Sequence, residues 1–208
     1  MLLWTHKVWS IALVATMTSV ASVSMADDAK KDEAKQTDKP AVKIQDVDVE
    51  GLRLKLPEGW KKKPLTTLQA ANYEVPAAGD DTDPTEFTVF HFPNGAGTLQ
   101  DNIARYLRQF DAEDRKVKIY EGETAQGKYT LIDLTGSWTK PSFQGKPNPK
   151  KPNTRMLTVV LHSEKGGDYF VRLTGPKKTV MENATAMRNW IGADPEKEKE
   201  RKEKEEAK

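Results

Sequence analysis

The chain has 208 residues, 31% charged and 37% hydrophobic, with 33 Lys+Arg against 31 Asp+Glu. This excludes an integral membrane protein with several spans, and a formal charge of +2 gives no drive toward nucleic acid. The cysteine count is zero, which excludes disulfides, zinc–thiolate sites, iron–sulfur clusters and a cysteine nucleophile.

Residues 1–26 read as a signal peptide. Lys7 sits in a weakly basic start, Val8 to Ala15 form a short apolar stretch, and Ser24-Met25-Ala26 supplies a small-residue exit. Cleavage there starts the mature chain at Asp27. The apolar run is short for a span of ~20 residues, so no membrane span is expected after cleavage, and the expected location is exported, periplasmic or extracellular. Residues 27–39 mix both charges without hydrophobic periodicity and read as a disordered spacer. Residues 40–193 carry a net charge of about +3, ordinary for a soluble domain, and are long enough to bury one core. Residues 194–208 are good helix formers with no apolar face, expected as a frayed, disordered, low-complexity tail.

Within the domain, Leu52-Arg-Leu-Lys-Leu56 alternates as a half-buried strand, ended by the turn Pro57-Glu58-Gly59 before Trp60. A weaker strand follows over 68–75, a turn cluster over 77–84, and a strand over 86–92 with aromatics on both faces. A first helix starts after Gly97. Thr98 and Asp101 resemble a capping box, and Leu99, Ile103, Tyr106 and Phe110 make one apolar stripe. Strands resume over 117–123, 128–139, 154–162 and 168–174, the last two joined as a hairpin at Gly166-Gly167. A second helix follows Gly175-Pro176, with Val180, Ala184, Met187 and Ile191 as its stripe and Gly192 as its stop. Thr179 with Glu182 offers an alternative start for it. The expected architecture is a single α+β domain: a largely antiparallel sheet of about six to seven strands with two main helices packed on it.

Residues 140–153 stand apart. Four prolines and a glycine argue against regular structure there, and a loop this long in a compact domain is usually functional or disordered. Its residues Lys140, Phe143, Lys146, Lys150 and Lys151, with Arg155 just beyond, are the candidate partner-binding site, suited to an acidic partner or a polyanion.

Other chemistries find weaker support. His91 and His162 fall in strand patterns, too few and too far apart for a zinc site, so no metal and no cofactor are expected. Ser137, Ser142 and Ser163 sit in no nucleophile motif. Asp133 shares a strand face with Tyr129 and Leu131, where it is either a structural carboxylate or a functional one. Gly95-Ala96-Gly97-Thr98 leads into a helix N-terminus, a sound anion site in principle, but lacks the P-loop and dinucleotide patterns. Asn183-Ala184-Thr185 matches a glycosylation acceptor but lies in an expected helix.

Four phrases then stand together: Gly51-Leu-Arg-Leu-Lys-Leu-Pro-Glu-Gly-Trp60, Ala71-Asn-Tyr73, Phe87-Thr-Val-Phe-His-Phe92 and Tyr169-Phe-Val-Arg-Leu-Thr-Gly-Pro176. Over about Val49 to Ile191 they resemble uncharacterised exported bacterial proteins, planctomycete-like, with a Mog1/PsbP-like fold. The resemblance implies an antiparallel sheet between helices. The group includes extrinsic subunits of photosynthetic membranes and a nuclear binding protein for a small GTPase, roles that share binding without shared chemistry, and neither partner transfers. The combined expectation is an exported binding or accessory protein of the cell envelope that catalyses nothing and has a protein or envelope component as partner. The alternatives are a small-ligand carrier, with an apolar cavity of ~300 Å³ or more between sheet and helix, and a hydrolase using Asp133 with His91 or His162.

Overall fold

The computed structural model describes residues 42–66, 68–142 and 145–201. The expected signal peptide and spacer, Phe143 and residues 202–208 lie outside the described residues.

The domain opens with an antiparallel hairpin of β1 (Ile44–Val49) and β2 (Leu52–Pro57). Glu50 and Gly51 turn it with φ of 53° and 90°, the positive values that a two-residue hairpin turn demands. Leu52, Leu54 and Leu56 are all buried, as their alternation requires.

The remaining strands are β3 (Lys61–Lys62), β4 (Gln69–Val75), β5 (Thr85–Phe92), β6 (Lys116–Thr124), β7 (Gly127–Thr139), β8 (Lys150–Ser163), β9 (Gly167–Pro176) and β10 (Lys199–Arg201). They form one antiparallel sheet in the order β10-β6-β7-β8-β9-β5-β4-β3. The α+β class is therefore as expected, with eight strands in this sheet rather than six or seven. The additions are the very short edge strands, whose two or three residues carry no periodicity. Short charged edges also discourage pairing with other chains.

Alternation sorts the side chains onto two faces. On one face Phe87, Val89, Leu131, Leu157, Val159, Val171 and Leu173 pack under the β1–β2 hairpin and α2 (Lys177–Trp190). Trp60 and Trp190 meet there at 4.7 Å and nearly perpendicular, and both lie against Phe87. Such edge-to-face pairs add about 0.5–1.5 kcal/mol beyond their buried area. On the other face Ile119, Ile132, Leu134, Met156 and Phe170 pack under Ile103 and Tyr106 of α1 (Leu99–Leu107). Thr98 caps α1, its Oγ1 accepting from the Asp101 N–H at 3.1 Å, an interaction worth about 1 kcal/mol. Phe110 lies beyond the helix end and bridges to Trp138.

α2 begins at Lys177 with Pro176 as its cap residue and no side-chain cap of its own. Its first turn is tied down from outside: Asp81 Oδ2 accepts from the Thr179 N–H at 2.8 Å and hydroxyl at 2.6 Å, while Thr179 Oγ1 accepts from Ala78 N–H. Thr179 thus anchors the 77–84 turn instead of opening a second helix start.

Two expectations are corrected. The proline-rich segment is irregular only as far as Pro149, because β8 begins at Lys150 and pairs Lys150 with Thr139 and Lys151 with Trp138. Pro152 is tolerated because the register shifts between Gly136 and Trp138 and Asn153 takes a φ of 52°, so the ring sits in an irregularity and not inside a regular ladder. The charged tail also does not fray from its first residue. Pro195–Lys197 form a 3-10 turn, β10 pairs with β6, and Glu198 between them turns inward with its side chain only 4% exposed. Its carboxylate accepts from Arg188 Nε at 2.9 Å and from the Tyr129 hydroxyl at 2.9 Å.

Candidate functional site: a cleft beneath the proline loop

Residues of the β7–β8 connection line, with the 80–84 turn, a cleft of about 520 Å³. One wall is Lys140, Asn148, Lys150 and Lys151; the other is Asp80, Asp81, Asp83 and Glu86, with Trp138 and Thr174 between them. The loop is braced by its own Asn148, whose amide donates to the Lys140 carbonyl at 2.9 Å. Trp138 is buried and donates its indole N–H to Gln109 Oε1 at 3.2 Å.

The lysines of the candidate site are largely neutralised within the fold. Lys151 pairs with Asp83 at 2.7 Å and Lys140 with Glu86 at 3.3 Å, so two ion pairs cross the cleft. Lys150 pairs with Asp111 on the far side of the loop. The Lys150 hydrogen bond, helped by the Glu113 backbone N–H, holds the Asp111 carboxyl below its ordinary range and raises Lys150 in return. Nearby, the Ser137 backbone N–H and hydroxyl hold Asp114 low in the same way. Lys146 is exposed on the loop. Arg155 does not join the group: on the α2 face it makes a two-pronged contact with Asp133, at 2.9 and 2.6 Å. The structure thus brings Lys140, Lys150 and Lys151 to one cleft, leaves Lys146 outside its lining, and turns Arg155 away.

The acidic wall was present in the sequence as Asp80-Asp81-Thr82-Asp83, legible only as a turn. The signal that gives it a role is pairing at long range, since Asp83 and Lys151 are 68 residues apart.

Asp133 and the two histidines are not brought together. Asp133 is level with Leu157 on β8, and His162 lies five residues further along, about 16 Å at strand rise. His91 is level with Tyr169 and Leu161 and sits three strands from β7, about 14 Å across the sheet. His91 donates from Nε2 to the Gly166 carbonyl at 2.6 Å and stacks on Tyr169 with centroids 4.3 Å apart. His162 Nδ1 lies 2.7 Å from Asp168 on the opposite face, and the other oxygen of Asp168 accepts the Ala96 N–H at 3.0 Å. The Gly95–Thr98 turn accordingly spends an amide on an internal carboxylate. Among the described residues no group of three His, Asp or Glu side chains could hold a metal ion, and no helix is long and apolar enough to cross a membrane.

Compared with known proteins, the chain matches no family model and no curated protein.

Proposed function

We propose that this chain is an exported binding or accessory protein of the cell envelope, without a catalytic role, that takes a protein or envelope partner at the proline loop and its cleft. The observation that supports the reading is the pairing of a 520 Å³ cleft with a proline-rich rim that carries Lys146 exposed. Three prolines, Pro141, Pro147 and Pro149, limit the conformations of that rim before binding, which lowers the ordering cost of association. We place the fold, on the same footing, with the Mog1/PsbP-like group.

The small-ligand alternative gains one observation, the cleft volume, which falls in the range of small-molecule sites. Its position differs from the apolar cavity expected between sheet and helix, because carboxylates, lysines and prolines line it. The hydrolase built on Asp133 loses its geometry, since that carboxylate is engaged by Arg155.

The test is affinity capture from the native envelope fraction, comparing the wild-type chain, Lys146→Glu, and a variant with Lys140, Lys146, Lys150 and Lys151 all changed to Gln. The single variant is needed because the fourfold one also removes three internal ion pairs. A partner retained by wild type and weakened by Lys146→Glu is the expected result. Equal recovery with all three chains refutes the loop assignment.

A further inference from the structure

The α1 face of the sheet has a polar floor that packing alone does not require. Strand register sets Asn72, Thr88, Arg172 and Thr158 in one row across β4, β5, β9 and β8, with Glu86 and Thr174 in the next row. Thr88 and Thr158 are fully buried and Thr174 nearly so. The hydroxyl of each lacks a hydrogen-bond partner among the described residues, as does Asn72 Oδ1. Valine fills a threonine site with almost the same shape and no orphan hydroxyl, whereas each unsatisfied buried hydroxyl costs about 1–3 kcal/mol.

Arg172 stands in the middle of that row. Its guanidinium carbon lies 5.1 Å from the centroid of the Phe90 ring, and among the described residues no carboxylate or carbonyl is hydrogen-bonded to it. Glu86 acts on it only through space. Burial presses the guanidinium below its ordinary range, yet an arginine side chain keeps its proton in a protein. The half-buried cation thus has a ring face as its contact and no hydrogen-bonded counter-charge among the described residues. From above, α1 brings Tyr106, whose ring is buried, whose hydroxyl has no hydrogen-bond partner among the described residues, and which feels the charges of Arg172 and Arg105.

We infer that Arg172 and Tyr106 form a binding site for a carboxylate, seated between α1 and the threonine floor of β5, β9 and β8. One guanidinium presents the two parallel N–H groups that match a carboxylate, and the phenol adds a third donor. A dianionic phosphate would set two charges against this single cation with Glu86 close by, so the monoanion is the better match. The carboxylate belongs either to a small organic acid or to the C-terminus of a peptide. The site goes beyond the proline-loop reading: Glu86 and Thr174 are shared with the cleft, but none of the loop lysines takes part, and either assignment can fail without the other.

The experiment follows the Arg172 Nε–Hε resonance of the full chain by NMR during titration with benzoate, N-acetyl-Gly-Phe, the C-terminal amide of that dipeptide, and inorganic phosphate. A saturable shift with either carboxylate and none with the amide is expected. Arg172→Lys, which keeps the charge and loses the fork, should weaken binding by about ten-fold or more, a factor of ten being about 1.4 kcal/mol. Tyr106→Phe should weaken it several-fold, and Lys146→Glu should leave it unchanged. Tyr106→Phe keeps every carbon atom and so retains a test if the Arg172 variant fails to fold. Tighter binding of benzoate than of the dipeptide acid identifies a small acid as the source, and the reverse identifies a chain terminus; both support the site. No saturable shift up to about 50 mM carboxylate, an equal shift with the amide, or tighter binding of phosphate overturns it.

Discussion

Changing Glu198 to Ala removes the hub of the most enclosed ion pair described in this fold. The Glu198 side chain is 4% exposed and that of Arg188 14%. Arg188 donates from Nε to both carboxylate oxygens at 2.9 Å, its Nη2 lies 2.8 Å from one of them, and Tyr129 adds its hydroxyl at 2.9 Å. Without the carboxylate, Arg188 retains, among the described residues, the Ala184 carbonyl at 3.0 Å and the Tyr120 ring at 5.5 Å. Breaking a buried pair by deleting one partner costs about 3–5 kcal/mol. Because those two contacts and some solvent access remain, we expect the lower part of that range, about 3–4 kcal/mol. In a chain of this size that is a fall in Tm of about 6–16 °C. Urea unfolding of Glu198→Ala measures the loss, with Glu196→Ala and Glu200→Ala as exposed controls expected to change stability by less than about 0.5 kcal/mol. If Glu198→Ala behaves like those controls, the tail does not latch the fold and the placement of this carboxylate is refuted.

Three further outcomes follow from the same contacts. Trp190→Ala, which empties the space against Trp60 and Phe87, should cost about 3–5 kcal/mol in urea unfolding; a loss below about 1 kcal/mol contradicts the packing. At low pH, Asp111 and Asp114 are held below the ordinary carboxylate range, chiefly by Lys150 and by the Ser137 backbone N–H. Their contribution is complete above the unfolded value of about 4 and is lost as pH falls through the lower folded values, so Asp114→Asn should flatten the acid limb of urea midpoint against pH. At high pH the sign reverses: burial, and then the Glu198 hydrogen bond, raise the Tyr129 phenol well above its ordinary range. Its neutral form therefore stabilises the fold fully below about pH 10, and stability falls as pH rises toward the folded value. Tyr129→Phe should remove part of that alkaline decline, and an unchanged profile argues against the buried hydroxyl.

What was legible in the sequence was whatever a local period could carry. The leucines at 52, 54 and 56 and the stripe Leu99, Ile103, Tyr106 announce a strand and a helix because burial on one side repeats every two or every three to four residues. β1 escapes that test: Ile44–Val49 alternates with aspartates, and all its residues but Val47 and Val49 are exposed. Trp190 lies beside the expected stripe of α2 and becomes core because Trp60, 130 positions earlier, arrives opposite it. Glu198 looks like its charged neighbours, and only the meeting of Arg188 and Tyr129 singles it out. The same limit governs the candidate site. Composition identifies a lysine-rich, proline-rich loop correctly as an unusual object, but the partners that decide its charge are Asp83, Glu86 and Asp111, none of them local. Arg172 was invisible for the opposite reason, since a lone cation in a mostly apolar strand has no pattern.

The internal pairing of the loop changes what kind of partner it suits. A free lysine patch attracts any polyanion, and its binding weakens steeply with salt. Here an incoming carboxylate or phosphate must first displace Asp83 from Lys151 or Glu86 from Lys140, so an exchange of one ion pair for another offers little net electrostatic gain. Both pairs are half-exposed, and such pairs contribute little to stability, which leaves them open to exchange with a partner of the right shape. Discrimination then falls to the parts of the site that exchange cannot imitate: the proline rim and the contour of the cleft wall beside Trp138. The loop reading accordingly favours a folded protein surface over a flexible polyanion.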